Sequence, residues 1–450
     1  MSSLYHDHIQ QLTSTWSTAM TACGFDAAVV HAGRTHDYFQ DDQGPRFEPN
    51  PNLTQWVARD FIGQEDCLAL ANGEPAKLFC YRPVDYWHAE APVPEGLATD
   101  LEVVTYASLN AMHTALTQHI GQSANCCHIS PEPANDGANW ATGSTNPDAL
   151  INRLHYQRAF KSDFEIAAMR EASRLGVLGH QAAAAEFANG GSEFSIHMAF
   201  LAASGQTDLD VPYGNIVAVN QNASVLHYQH KDRHVGEPLL SLLIDAGARS
   251  HGYASDITRT YIHPDTAKLG SHTMAGATFA ELIKRMDSLQ QTLVSQVRSN
   301  LDYLALHTTF HRHLAQLLEE SQLISLSADE IFSKGITEVF CPHGLGHLLG
   351  LQVHDVGGQQ INADGEQKAP PENYPSLRMT RPIEERMVFT IEPGLYFIDS
   401  LLAKLKAHGD CVNWDLINAL RPFGGIRIED NVLVTESGCE NLTRAAFATL

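Results

Sequence analysis

The sequence predicts a mixed helix-and-strand chain of two domains, a smaller α/β domain over residues 1–158 and a larger α+β domain over 159–450. Three observations carry this expectation. The chain has 450 residues, and single hydrophobic cores stop growing at about 250–300 residues. Its first part alternates short helix-like and strand-like segments. Then Lys161-Ser162-Asp163-Phe164-Glu165 opens a long Ala- and Leu-rich stretch, and Ser162 with Glu165 three residues on has the form of a capping box.

Residues 4–22 read as a helix and Asp26-Ala27-Ala28-Val29-Val30-His31 as a strand. Cys67–Ala71 and Lys77–Tyr81 flank Asn72-Gly73, which predicts a hairpin. The helix opened by Ser162 is expected to stop at Asn189-Gly190-Gly191. A short helix follows over 193–203, ending near Gly205, with longer ones over about 270–298 and 302–319. Strand-rich segments lie between and after them.

Composition narrows the function classes. The formal net charge of −23 repels phosphate backbones and anionic bilayers, so neither nucleic acid nor a membrane is an expected partner. No stretch approaches the ~18 consecutive apolar residues of a membrane span. The start, Met1-Ser2-Ser3-Leu4-Tyr5-His6-Asp7-His8, lacks the basic and apolar regions of a secretion signal. The eight cysteines are scattered, as expected of reduced thiols. Together these predict a soluble, cytoplasmic protein.

The chemistry-bearing residues all fall in the second domain. The apolar run Leu242-Leu243-Ile244 ends in Asp245-Ala246-Gly247, and Asp256 follows eleven residues after Asp245. A hairpin folded near Ser250-His251 would set the two aspartates opposite each other, with β-carbons ~4.5–5.5 Å apart, where like charges destabilise unless a cation intervenes. Pro342-His343-Gly344-Leu345-Gly346-His347-Leu348-Leu349-Gly350-Leu351-Gln352-Val353-His354-Asp355 gathers three histidines, and its glycines oppose a helix and permit close backbone approach. Met387-Val388-Phe389-Thr390-Ile391 reads as a strand buried on both faces and ends in Glu392, which needs a partner or must neutralise. In Gly424-Gly425-Ile426-Arg427-Ile428-Glu429-Asp430, period-two alternation puts Arg427 and Glu429 on one face, where Arg427 can orient Glu429. Taken singly, each has a bland counterpart: a capping Asp, a structural His, a surface ion pair. Taken together, four carboxylates and an imidazole suit two divalent cations, and the oxygen-rich set favours manganese, with cobalt or zinc as alternatives.

These motifs, in this order, resemble the peptidase family with the pita-bread fold, which includes methionine aminopeptidase, aminopeptidase P, creatinase and the Xaa-Pro dipeptidases. PHGLGHLLGLQVHD and DAGARSHGYASDITRTY are most similar to bacterial Xaa-Pro dipeptidases, including those called organophosphorus acid anhydrolases. The likeness extends over nearly the whole chain and is sharpest from about residue 160. It implies a homodimer that cleaves dipeptides with a C-terminal trans proline through a hydroxide bridging two divalent metals, with a side activity on organophosphates. A related possibility is aminopeptidase P-like removal of the first residue from longer peptides, and one of another class is an inactive, peptidase-like binding module.

Carried over motif by motif, the resemblance makes Asp245, Asp256, His347, Glu392 and Glu429 the metal ligands, with Asp256 and Glu429 touching both ions. Glu392 doubles as proton shuttle, and His354 and His227 contact the reacting group. Arg378 holds the substrate carboxylate, or is a surface arginine. His343 lies behind the ligands. Tyr213 and Tyr303 are pocket candidates whose alternative is core packing. Trp87 would cap the pocket of the partner subunit, or is simply packed.

Overall fold

The computed structural model describes residues 2–87, 93, 97–121, 125–131, 143–236, 238–268, 270 and 273–450. The chain divides into two units, which are considered in turn. The first comprises Met1–Arg158 with Ser162–Ala167 and Asn362–Glu366, and the second comprises the remainder.

The first unit is built on a six-stranded sheet of β1 (Ala27–His31), β2 (Cys67–Ala71), β3 (Lys77–Tyr81), β4 (Glu102–Tyr106), β5 (Cys126–Ile129) and β6 (Ser144–Thr145), in the order β4-β3-β2-β1-β5-β6. β1, β2 and β3 pair antiparallel, and β2 and β3 are the expected hairpin, with Gly73 at φ +87 in its loop. Helix Ser2–Ala22 lays Ile9, Leu12, Trp16 and Met20 into a core with Val30, Leu68 and Leu78. The alternate positions Ala27, Val29, Cys67 and Phe79 face helix Leu109–Ile120 through Met112 and Leu116. The sheet is therefore covered on both faces, as its near-continuous apolar strands require.

The expected capping box is present. Ser162 N–H donates to Glu165 Oε2 at 2.7 Å and Glu165 N–H donates to Ser162 Oγ at 3.3 Å. Helix Asp163–Ala188 follows and stops before Gly190, which sits at φ +88.

In the second unit β7 (Ile216–Val219), β8 (Ser241–Asp245) and β11 (Thr258–Ile262) form one antiparallel sheet, ordered β11-β8-β7. β8 is buried along its whole length between two layers. Leu243 faces a core shared with helices Thr273–Ser295 and Tyr303–Glu320. Leu242 and Ile244 face Phe187, Ile196 and Phe200 on the other side. Helix Tyr303–Glu320 buries Tyr303, Leu306, Phe310, Leu314 and Leu317, an apolar stripe at helical spacing, with His307 buried among them. Further along, β12 (Val388–Ile391), β15 (Asp430–Thr435) and β16 (Gly438–Asn441) pair antiparallel, as do β13 (Gly394–Tyr396) and β14 (Gly425–Arg427).

Between β8 and β11 a short ribbon of β9 (Arg249–Ser250) and β10 (Tyr253–Ala254) carries the chain round a two-residue turn. Its central residues His251 and Gly252 have φ of 50 and 88, the doubly left-handed form that matches strand twist. This corrects the expected register. The turn is centred one residue later than Ser250-His251, so Asp245 pairs with Thr258 and not with Asp256. The slip shifts the pairing by two residues, which preserves parity and leaves Asp256 on the same side as Asp245.

At Gly247 a Cβ would overlap the carbonyl oxygen of Ser255 on the facing segment. Gly247→Ala is expected to cost on the order of 1–3 kcal/mol of stability, as overpacking does. Equilibrium denaturation checks this, and an unchanged midpoint would show that the ribbon is looser than described.

Candidate metal centre

Each acidic residue reaches the site from the end of a strand. Asp245 closes β8, Asp256 precedes β11, Glu392 follows β12, and Glu429 lies between β14 and β15. Backbone bonds lock these ends together. Glu429 N–H donates to the Thr258 carbonyl at 3.0 Å, and Asp256 N–H donates to Asn431 Oδ1 at 3.2 Å.

The glycine-rich histidine segment runs beside β12 without forming a helix. Thr390 N–H donates to the His347 carbonyl at 3.0 Å and Glu392 N–H to the Leu345 carbonyl at 2.8 Å. Gly346 permits this approach, since a Cβ there would overlap the Thr390 carbonyl oxygen. His347 Nδ1 lies 3.0 Å from the Leu348 carbonyl. A carbonyl only accepts, so Nδ1 carries the proton, and Nε2 faces the acids, 3.4 Å from Asp256 Oδ2 and 3.8 Å from Glu392 Oε1. That is the arrangement of a metal-binding imidazole whose outer nitrogen is tied to the backbone.

Arg427 is buried among the acids. Its guanidinium donates to Asp245 Oδ2 at 2.6 Å, to Thr258 Oγ1 at 3.2 Å and to the Tyr396 hydroxyl at 2.9 Å. Thr258 in turn donates to Glu429 Oε2 at 2.6 Å. Arg427 thus orients Asp245 directly and Glu429 only through Thr258, where direct orientation of Glu429 is the reading from alternation alone. His343 Nδ1 lies 2.8 Å from the Gly344 carbonyl, so it is the donor there, and Nε2 accepts from the Tyr396 hydroxyl at 2.8 Å. The result is a chain of donors from Arg427 through Tyr396 to His343.

The charges do not balance. Four carboxylates meet one arginine and one imidazole. Burial pushes the Glu429 carboxyl well above the usual range, and Asp256, Glu392 and Asp245 push it further. Glu392 is pushed up to about 7, chiefly by burial, with His347 and Arg427 opposing and the two aspartates adding. Burial raises Asp245 too, against the pull of Arg427. For Asp256 burial acts upward, but the hydrogen bond and charge of His347 outweigh it and hold the carboxyl low. Burial would lower His347, yet Asp256 and Glu392 hold it above its ordinary value.

Tyr213 exposes the same surplus. Its hydroxyl lies 2.7 Å from Asp245 Oδ1 and 2.5 Å from Asp256 Oδ1. One hydroxyl proton serves only one of them, so the other contact needs a carboxylic proton or a cation. Among the described residues, Asp256, His347 and Glu429 form a buried group whose ligand atoms lie within 4.8 Å of one another. The donor set therefore fits divalent ions on its own chemistry.

A cavity of about 410 Å³ opens onto this centre and is lined by Asp245, Asp256, His347, Glu392, Glu429 and Arg427, and also by His227, His343, His354 and Arg378. The His354 ring stands edge-on to His347 with centroids 4.4 Å apart. Burial, with His347 and Arg378, pushes its imidazole down to about 4. Tyr213, bonded to both aspartates, is not among the residues that line the cavity. Tyr303 is fully buried and donates to the Thr390 carbonyl at 3.2 Å, so it supports the floor under Gly346 as a core residue and not as a cavity wall. Trp87 is 76% exposed and packs on Tyr86, with ring centroids 4.7 Å apart. Four residues of the site escaped the sequence reading: Thr258, Tyr396, Leu226 and Ser376. Alternation could have found one of them, since Thr258 is two residues from Asp256.

Comparison with known proteins places this centre in a family. Residues 167–436 match the model described as metallopeptidase family M24, and residues 3–156 match one described as Xaa-Pro dipeptidase, N-terminal domain. The chain belongs to metallopeptidase family M24. Among M24 relatives, the Xaa-Pro dipeptidase of Pseudoalteromonas atlantica is 42% identical over 448 residues, covering 99% of this chain and 98% of that one. The Xaa-Pro dipeptidase of Aeromonas hydrophila is 41% identical over 458 residues, covering 99% of both. Zinc-substituted E. coli aminopeptidase P in complex with product superposes with a TM-score of 0.72 at 22% identity, covering 98% of this chain and 95% of that one. Pseudomonas aeruginosa aminopeptidase PepP gives 0.71 at 21%, covering 97% and 95%. The second unit thus has the pita-bread fold of M24, preceded by a smaller α/β domain, as expected.

Glu392 is pushed up to about 7, so without a cation it is partly protonated near neutrality, and Glu429 and His347 are raised as well. Cation binding favours the deprotonated form of each. Loading the chelated protein at about pH 6.5 is therefore expected to release protons, with the Glu392 share fading as pH rises through its pKa. Isothermal titration in two buffers of different ionisation enthalpy reads the number, and net proton uptake would contradict the charge balance above.

Proposed function

We propose that the chain is a metal-dependent Xaa-Pro dipeptidase acting on dipeptides with a C-terminal trans proline. The observation that carries this reading is the cavity itself. Four convergent carboxylates and His347 line it together with Arg378. Its guanidinium suits the carboxylate of a two-residue substrate. The full-length likeness to proteins named Xaa-Pro dipeptidase supports the same reading.

Asp245, Asp256, His347, Glu392 and Glu429 would hold two divalent ions, manganese first and cobalt or zinc as alternatives, because the set is four oxygen-bearing groups to one nitrogen. Such ions supply Lewis acidity for the scissile carbonyl and acidify water at neutral pH. The chain's own residues do the rest. Arg378 anchors the proline carboxylate. His354, pushed down to about 4, is neutral near pH 7 and donates a hydrogen bond to the carbonyl oxygen as negative charge develops there. His227 flanks the same oxygen. Glu392 takes a proton and delivers it to the proline nitrogen. A dedicated enzyme is needed because that nitrogen, as an amide, has no hydrogen to offer a strand-like groove.

The same centre would hydrolyse phosphotriesters as a side reaction. We place the protein in the cytoplasm, in keeping with cysteines that form no disulfide among the described residues. No described helix is long and apolar enough to cross a membrane. A homodimer accounts for the exposed Val84, Tyr86 and Trp87 after β3, with Trp87 capping the pocket of the second copy and limiting it to dipeptides.

Chelation is expected to abolish Ala-Pro cleavage, and manganese to restore it best. Ala-Pro-Ala should turn over at under about 1% of the Ala-Pro rate, and equal rates would favour aminopeptidase P-like action. No turnover with any ion would leave a binding module. Arg378→Ala is expected to raise KM for Ala-Pro by about 10–100-fold with little change in kcat, the loss of a charge-assisted contact. An unchanged KM would remove Arg378 from substrate binding. Glu392→Gln should lower kcat by about 10²–10⁴-fold, and steady-state kinetics on protein of measured metal content separates this from simple metal loss.

A further inference from the structure

His354 belongs to residues 351–354, which form neither helix nor strand, so its aim depends on what fixes the ends of that turn. Before it, Leu349 N–H donates to the Val388 carbonyl at 3.0 Å, and Ala254 N–H donates to the Gly350 carbonyl at 2.9 Å. After it, Asp355 N–H donates back to the Leu348 carbonyl at 2.9 Å and closes the loop.

The Asp355 side chain turns inward. Its carboxylate accepts from Val356 N–H at 3.0 Å and meets Lys161 Nζ at 3.1 Å. Both side chains are only 1% exposed. Gly350 makes room for the pair, since a Cβ there would overlap Asp355 Oδ2 and come within 3.0 Å of Lys161 Nζ. Lys161 is itself held by backbone. Its N–H donates to the Arg386 carbonyl at 2.9 Å, and Arg386 Nε donates to the Lys161 carbonyl at 2.6 Å. Phe160 bridges to Met387, one residue before β12. The ion pair therefore ties the entry of the strand that ends in Glu392 to the residue immediately after His354.

A buried ion pair is a poor source of stability compared with apolar packing of the same volume, but it fixes geometry. We propose that Lys161 and Asp355 form a positioning pair that aims His354 at the scissile carbonyl. This rests on the reading of His354 given under Proposed function.

The test uses full-length, metal-loaded protein and Ala-Pro, with metal content and thermal unfolding measured for every variant. Lys161→Met is expected to lower kcat by about ten- to a hundred-fold, the scale of a small misplacement, with KM within about three-fold and metal content unchanged. Lys161→Arg, which keeps the charge, should recover part of the loss. In a His354→Ala background, Lys161→Met should change kcat by less than about two-fold, because the group it aims is gone. If Lys161→Met does not accumulate folded, Asp355→Asn is read by the same criteria. An unchanged kcat in the folded single variant overturns the pair's role, as does an equal loss with and without His354. If His354→Ala alone leaves kcat intact, the reading of His354 fails first. A slow His354→Ala enzyme beside a fully active Lys161→Met enzyme defeats the positioning proposal only.

Discussion

Mutual repulsion among Asp245, Asp256, Glu392 and Glu429 is the constraint around which the second unit is organised. Four buried carboxylates in one place would drive the strand ends apart if nothing neutralised them. Arg427 offsets one charge and is spent on Asp245. The remainder shows in the upward push on Glu392 and Glu429 and in the sharing of a single Tyr213 hydroxyl by two aspartates. A centre of this kind sacrifices local stability for an affinity toward multivalent cations, and the sheets around it hold the acids in place.

The way they do so explains the layout. No acid comes from the middle of a long strand. Each lies where a ladder ends or breaks, and cross-links such as Glu429 to Thr258 and Glu392 to Leu345 seal the ends to one another. The apolar run Leu242–Ile244 packs against helices on both faces and makes β8 the rigid post on which Asp245 stands. Glycines allow the histidine segment to lie against β12, which brings His347 Nε2 within 3.8 Å of Glu392 Oε1.

Much of this was legible beforehand because strong local signals carried it. The capping box at Ser162, the stop at Gly190 and the helices near 273–295 and 303–320 rest on spacing and end chemistry, which act over a few residues. The acids and His347 were legible because polar residues at the ends of apolar runs stand out. What escaped was set by tertiary geometry. The pairing of Asp245 with Thr258 depends on whether His251 or Ser250 opens the turn, and both can. Tyr303 carries no mark that separates a pocket lining from a core position, and its depth is decided by Gly346 lying above it. Tyr396 joins Arg427 to His343 only once β13 and β14 have paired.

The two-residue turn at His251-Gly252 has a bearing on how such a chain can diverge. Asp245 and Asp256 share a side because Asp245 pairs with Thr258 and Asp256 stands two residues before it, and pleating reverses direction at every step. Inserting a single residue between Asp256 and Thr258, with the Asp245–Thr258 pairing kept, would swing Asp256 to the opposite side of the sheet and take one carboxylate from the centre. Length change at the turn itself is absorbed by the loop, because the buried faces of β8 and β11 hold the register, whereas the step from Asp256 to Thr258 admits none.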